Sequence, residues 1–200
     1  EGPNMARATG FKESNGEYIY FLDSDDFIHP QTIFTHLMKI RQTKTDISVS
    51  SYIPVEDSNI NIKNHKLNIF DNSTDIKNGL YEILNFSLQT EYSNLFPVTA
   101  WGKLYKRELF DDFNWLECNY RQYEDNFFMI QLYSKVKKIS IMKDLPMYFY
   151  RCDDRKNVLS KINKPNNFNG RKLGKIETID ELSEYRVKII KSSNLNKDHK

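Results

Sequence analysis

An apolar run, Tyr18-Ile-Tyr-Phe-Leu22, breaks into three carboxylates within four positions, Asp23, Asp25 and Asp26. Like charges that close repel one another and resist desolvation, so the arrangement is easiest to understand with a cation among them. The run is aromatic and β-branched, bounded by Asn15-Gly16 and by the acids, which predicts a buried strand over 17–22. In open parallel α/β folds, ligands collect just beyond the carboxyl ends of such strands. Asp23, Asp25 and Asp26 there supply hard oxygen ligands suited to Mg2+, Mn2+ or Ca2+. The other reading is an acidic turn that caps the following helix from a distance.

Pro3 to Ser14 reads as a short helix opened by Pro3 and ended by the Asn15-Gly16 turn. A second helix opens at Pro30 and runs to Arg41 with Ile33, Leu37 and Ile40 on one face, and a second strand follows over 46–53. Helix, strand, helix, strand implies a parallel α/β layer. Residues 54–72 form a long polar connection, with a hairpin near Leu67 to Phe70. Ser73-Thr-Asp75 caps a helix carrying Ile76, Leu80, Ile83 and Leu84. Beyond it, 98–104 is extended, 106–110 is a helical turn and 123–136 is an amphipathic helix. Short strands over 138–142 and 147–150 flank Pro146, and 176–192 is a final helix after an Asn/Lys/Gly-rich stretch.

Charge narrows the partners. The 200 residues carry 29 Lys+Arg against 27 Asp+Glu, with no long block of one sign, so no nucleic-acid partner is expected. Basic residues thicken after Arg151. A solvated surface accounts for them, and peripheral contact with an anionic membrane surface or a phosphate-bearing ligand is the sharper alternative. Cys118 and Cys152 make no CxxC and read as reduced thiols of a cytoplasmic protein; the four histidines are too scattered for a zinc site. No apolar run approaches the roughly 18–20 residues that span a bilayer.

Two other acidic motifs fit poorly. An EF-hand starting at Asp23 needs Gly at its sixth position and Glu at its twelfth, which hold Ile28 and Phe34. A haloacid-dehalogenase phosphatase places DxDx(T/V) after an apolar strand, but Phe27 stands where Thr or Val belongs. That family ranks third among the functional readings.

The stretch from Gly2 to Ile28 resembles the middle of a family 2 glycosyltransferase of the GT-A fold, which carries G-P-x-x-A-R-x-x-G and then G-x-Y-x-x-F-L-D-S-D-D. Gly2, Pro3, Ala6, Arg7, Gly10, Gly16, Glu17, Tyr18, Phe21, Leu22 and Asp23 to Asp26 match at the family's spacing. Downstream, Trp101-Gly-Lys103-Leu-Tyr105, Tyr123-Glu124-Asp125 and Tyr148-Phe-Tyr150-Arg151 resemble later family segments in the right order. The likeness covers 1–160; 161–200 has no assignable likeness. It implies a GT-A-like, Rossmann-like mixed sheet flanked by helices, and an inverting enzyme moving sugar from a nucleotide-sugar, a UDP-sugar by preference. The acceptor would be a hydroxyl of a glycan or lipid-linked molecule in bacterial surface polysaccharide synthesis, at the inner face of the cytoplasmic membrane.

The same resemblance suggests roles. Asp25, helped by Asp23 or Asp26, would hold Mn2+ or Mg2+ against the diphosphate. Asp23 would face the ribose, and Arg7 the diphosphate or base. Asp125 would be the base, Glu124 and Trp101 would meet the acceptor, and Arg151 and Arg155 would approach the diphosphate. Simpler readings stand beside these: Glu124 and Asp125 complement a helix dipole, Trp101 is a core residue and Arg7 a surface one. The family's opening P-T-Y-N and D-D-x-S-x-D turns are not in this chain. Roughly 60 to 90 residues, the scale of two or three βαβ units, are therefore expected upstream of Glu1. The strand ending at Leu22 is then expected to show an unpaired edge and the chain alone to be poorly soluble and inactive. A non-catalytic remnant that binds metal or glycan is the runner-up.

Overall fold

The computed structural model describes residues 2–55, 73–88, 95, 97–118 and 124–151, with 183, 184, 187, 188 and 191 near the C-terminus. The hairpin expected near Leu67 to Phe70, Arg155, Cys152 and most of the final helix lie outside the described residues. Among the described residues the α-helices and β-strands follow in the order α1 (Pro3–Glu13), β1 (Tyr18–Tyr20), β2 (Phe27–Ile28), α2 (Thr32–Thr43), β3 (Ile47–Val55), β4 (Asp75–Asn78), α3 (Gly79–Leu88), β5 (Lys103–Lys106), α4 (Glu124–Tyr133) and β6 (Lys138–Arg151), with 3-10 turns at Arg107–Phe110 and Trp115–Cys118.

The sheet is mixed, in the order β1-β5-β3-β6-β2, and β4 pairs with β6. The parallel layer expected of β1 and β3 is not built by direct pairing. β5 lies between them, antiparallel to both, so they point the same way one strand apart. Lys103, Leu104 and Tyr105 are all buried, as a strand covered on both faces requires. β1 has β5 as its one sheet partner among the described residues.

β6 corrects the expectation of two short strands. It is one 14-residue strand running parallel to β3, with a register break that sets Met142 opposite Ser50 and Pro146 opposite Ser51. Proline lacks the N–H a regular ladder uses, and a bulge accommodates it. Before the break β6 pairs on its far edge with β4; beyond it, Tyr148 and Phe149 pair with β2. The bulge thus carries the end of β6 to the acidic turn between β1 and β2.

The helices also depart from expectation. Residues 75–78 are strand rather than helix cap, because they pair with Lys138–Ile141; α3 starts at Gly79, whose φ of +72° suits glycine. Glu82 accepts the Asn78 N–H at 2.7 Å and caps it. α2 buries Thr32, Thr35, His36, Lys39 and Ile40, while Ile33 and Phe34 are 44% and 56% exposed, which corrects the face read from the sequence. Its orientation is set by the Thr32 hydroxyl, which donates to His29 O at 2.6 Å and Met147 O at 3.0 Å, and by His36 Nδ1 against Ser48 Oγ at 3.0 Å. α4 is not amphipathic: Phe127 through Tyr133 are all buried. It packs against α1, α3 and the 3-10 turn Trp115–Cys118, so an apolar surface all round is what it needs. Each of its large apolar side chains contributes about 1.5–3 kcal/mol through burial.

Candidate active site

Helix α1 places the first half of the site. Pro3 sits in its first turn, where a missing N–H costs nothing. Arg107 fixes the other end, donating to Phe11 O at 3.3 Å, Ser14 O at 2.8 Å and Ser14 Oγ at 2.9 Å, with its guanidinium 4.4 Å from the centre of the Phe11 ring. Asn4 and Arg7, one turn apart, therefore face the same way.

Arg7 joins two distant segments. Its Nη1 donates to Asp125 Oδ1 at 2.6 Å and to Asn4 Oδ1 at 2.6 Å, and its Nη2 meets Asp23 Oδ1 at 3.4 Å. Its side chain is 9% exposed, against 37% for Asp23 and 21% for Asp125. Asn4, fully buried, donates Nδ2 to the Glu124 carbonyl at 3.1 Å. The cation that the acidic cluster called for is thus supplied in part by the protein. Burial alone would lower the Arg7 pKa, but Asp125 and Asp23 together raise it.

The carboxyls respond unequally. Burial raises Asp23, Arg7 opposes that, and the like charges of Asp125 and Asp26 raise it further. Glu124 is raised mainly by burial. Asp125 lies in the first turn of α4, where the helix dipole favours an anion.

Asp26 has a different setting from its neighbours. Its Oδ2 accepts the Tyr148 hydroxyl at 2.6 Å and its Oδ1 accepts the Arg151 N–H at 2.8 Å. Asp23, Ser24 and Asp25, with Glu124 and Asp125, line an open cleft of about 890 Å3 together with residues of α1 and β1. Among the described residues no three His, Cys, Asp or Glu side chains converge as a metal cage.

Of the residues singled out in the sequence, Arg7, Asp23, Asp25, Glu124 and Asp125 come together on this cleft. Trp101 is buried: at 6% exposure it stacks on Tyr148 (centroids 4.4 Å apart, 16°) and Tyr150 (5.7 Å, 14°). Arg151 sits 5.1 Å over the Phe27 ring. Sequence reading missed Asn4, although its three-residue spacing from Arg7 on a helix was a signal, and it missed the engagement of Asp26 by Tyr148. Lys103 was also unforeseen. It is 1% exposed, its Nζ donates to Thr99 O at 2.6 Å and Trp101 O at 3.3 Å, and burial pushes the ammonium down to about 7.

Residues 1–113 match the family model described as glycosyl transferase family 2. Over 167 residues the chain is 30% identical to glycosyltransferase GlyA of Streptococcus pneumoniae serotype 4, covering 80% of this chain and 22% of that protein. It is 23% identical over 170 residues to a poly(ribitol-phosphate) beta-glucosyltransferase of Bacillus spizizenii, covering 84% and 24% respectively. The fold resembles that of S. aureus TarS 1-349 in complex with UDP-GlcNAc, with a TM-score of 0.54 at 21% identity over 75% of this chain and 39% of the other. The chain therefore spans less than half the length of these relatives. No helix among the described residues is long and apolar enough to cross a membrane.

Proposed function

The chain belongs to glycosyl transferase family 2, and from that premise we propose that it carries the metal- and acceptor-side half of an inverting sugar transferase. The donor is a nucleotide-sugar, by preference a UDP-sugar, and the acceptor a hydroxyl of a bacterial surface polysaccharide or its lipid-linked precursor. The observation that carries the reading is the meeting of Asp23, Arg7 and Asp125, from three separate segments, on one cleft. The TarS complex with UDP-GlcNAc and the poly(ribitol-phosphate) glucosyltransferase support the donor and acceptor classes.

Transfer breaks the bond between the anomeric carbon and the diphosphate oxygen and forms one to the acceptor oxygen, whose proton must leave. Asp125 accepts that proton, oriented by Arg7. Arg7 ties the base to the donor-side turn, so both ends of the reaction are set by one guanidinium. Asp23 faces the ribose, and Glu124 flanks the acceptor. Asp25, helped by Asp23, would hold Mg2+ or Mn2+, and such an ion would neutralise charge on the departing diphosphate. These hard-oxygen donors fit such an ion, because Mg2+ commonly takes one or two carboxylates and completes its shell with water and substrate phosphates.

The test separates binding from chemistry. In the complete protein, Asp125→Asn is expected to retain nucleotide affinity and lose on the order of 10²-fold in transfer rate. Asp25→Asn is expected to lose metal-dependent nucleotide binding. Unchanged turnover in Asp125→Asn moves the base elsewhere.

A further inference from the structure

The clasp between the end of β6 and the acidic turn assigns a task to a residue that touches no substrate. Tyr148 is fully buried, its ring stacked 4.4 Å from Trp101, which leaves its hydroxyl little freedom of direction. That hydroxyl donates to Asp26 Oδ2 at 2.6 Å and lies 3.4 Å from the Asp23 N–H, which donates to it. The Arg151 N–H takes the other oxygen of Asp26 at 2.8 Å, and the turn itself is closed by Asp26 N–H to Asp23 O at 3.1 Å. Asp23, Ser24 and Asp25 lie on the cleft side of the same turn. One phenol thus grips the turn at both ends, at the Asp23 N–H and the Asp26 carboxylate, while Asp23 and Asp25 line the cleft.

We propose that Tyr148 is a positioning residue: with the Arg151 backbone it holds Asp26 as the anchor of the acidic turn, so that Asp23 and Asp25 are presented to a divalent ion carrying a nucleoside diphosphate. Asp26 is then an anchor and not a ligand. This rests on the reading of the cleft as a nucleotide-sugar site. A hydrogen bond to a carboxylate is short and directional, and displacement of a binding group by even an ångström weakens what it binds.

The test uses Tyr148→Phe, which keeps the ring on Trp101 and removes one hydroxyl, and Asp26→Asn, which leaves the Tyr148 side chain in place. Mn2+ binding to the complete protein, with and without uridine diphosphate, is followed by electron paramagnetic resonance alongside thermal unfolding. Each variant is expected to bind Mn2+–uridine diphosphate about tenfold more weakly, the scale of one hydrogen bond to a charged group. Their midpoints of unfolding are expected to fall by no more than a few degrees, the scale of one lost hydrogen bond, so both variants stay folded at the assay temperature. The double variant is expected to lose no more than the worse single one, since the two groups act as a unit, and the rate at saturating Mn2+ should largely recover. Wild-type Mn2+ affinity in Tyr148→Phe, or additive losses, overturns the clasp. Wild-type protein that binds Mn2+–uridine diphosphate but transfers no sugar refutes the transferase reading and leaves the clasp standing. Wild type that binds neither overturns both.

Discussion

Replacing Arg7 by methionine keeps the length of the side chain and deletes the charge between Asp125 and Asp23. With charge centres about 4 Å apart and an effective dielectric near 20, each attraction is worth ~4 kcal/mol. The Asp125 contact is the closer, at 2.6 Å against 3.4 Å. Removing the guanidinium also removes the cost of burying it, and Asp23 is 37% exposed, so solvent weakens its share. The net loss is about 2–4 kcal/mol at pH 7.5, in line with breaking a largely buried pair. The loss should shrink with acid. Asp23 already has a raised pKa in the folded protein, so its contribution is present below the ordinary 3.8 and lost as pH rises through the folded value. Without Arg7 that value climbs further, and protonating Asp23 then relieves the repulsion from Asp125. Urea unfolding of wild type and Arg7→Met at pH 7.5 and 5 should therefore show a wide gap that narrows at the lower pH. A gap that is absent, or that stays the same at both, refutes the charge-bridge account.

Two further predictions concern the frame around the site. Burial pushes the His36 imidazole down from 6.5 to about 3, so stability is fully present above 6.5 and is lost as pH falls from 6.5 toward 3. The slope is at most ~1.4 kcal/mol per pH unit; His36→Gln should flatten unfolding free energy between pH 6.5 and 5, and an unchanged slope would place the acid sensitivity elsewhere. Asp46 accepts Lys106 Nζ on Oδ1 at 2.9 Å and the Lys137 and Lys138 N–H groups on Oδ2 at 2.9 and 3.2 Å, joining the starts of β3 and β6 to the end of β5. Asp46→Asn should cost about 1–3 kcal/mol in urea unfolding at pH 7, and a loss below ~0.5 kcal/mol would show these bonds to be replaceable by water.

Much of this site was legible because its signals are local. Pro3, the Asn15-Gly16 turn and the aromatic run to Leu22 each carry their own conformational reason, and they place Arg7 and Asp23 together. What was not legible is non-local. Nothing near Lys103 says that its strand enters between β1 and β3, nor does Pro146 announce that one strand crosses it through a bulge. The apolar face of α2 misled because its orientation is fixed by the Thr32 and His36 hydrogen bonds to other segments. Trp101 offered two readings on paper; the structure stacks it in the core on Tyr148. Asp26 looked equivalent to Asp25 until β6 supplied partners for both of its oxygens.

The central claim is that this cleft transfers sugar with inversion. Nuclear magnetic resonance of a reaction containing the complete protein, a UDP-sugar, Mn2+ and a polyol or glycan acceptor tests it directly. One uridine diphosphate per glycoside formed is predicted, with the anomeric configuration opposite to that of the donor, and with both signals lost together in Asp125→Asn. Retained configuration, or release of inorganic phosphate from a phosphomonoester with no glycoside formed, would contradict it.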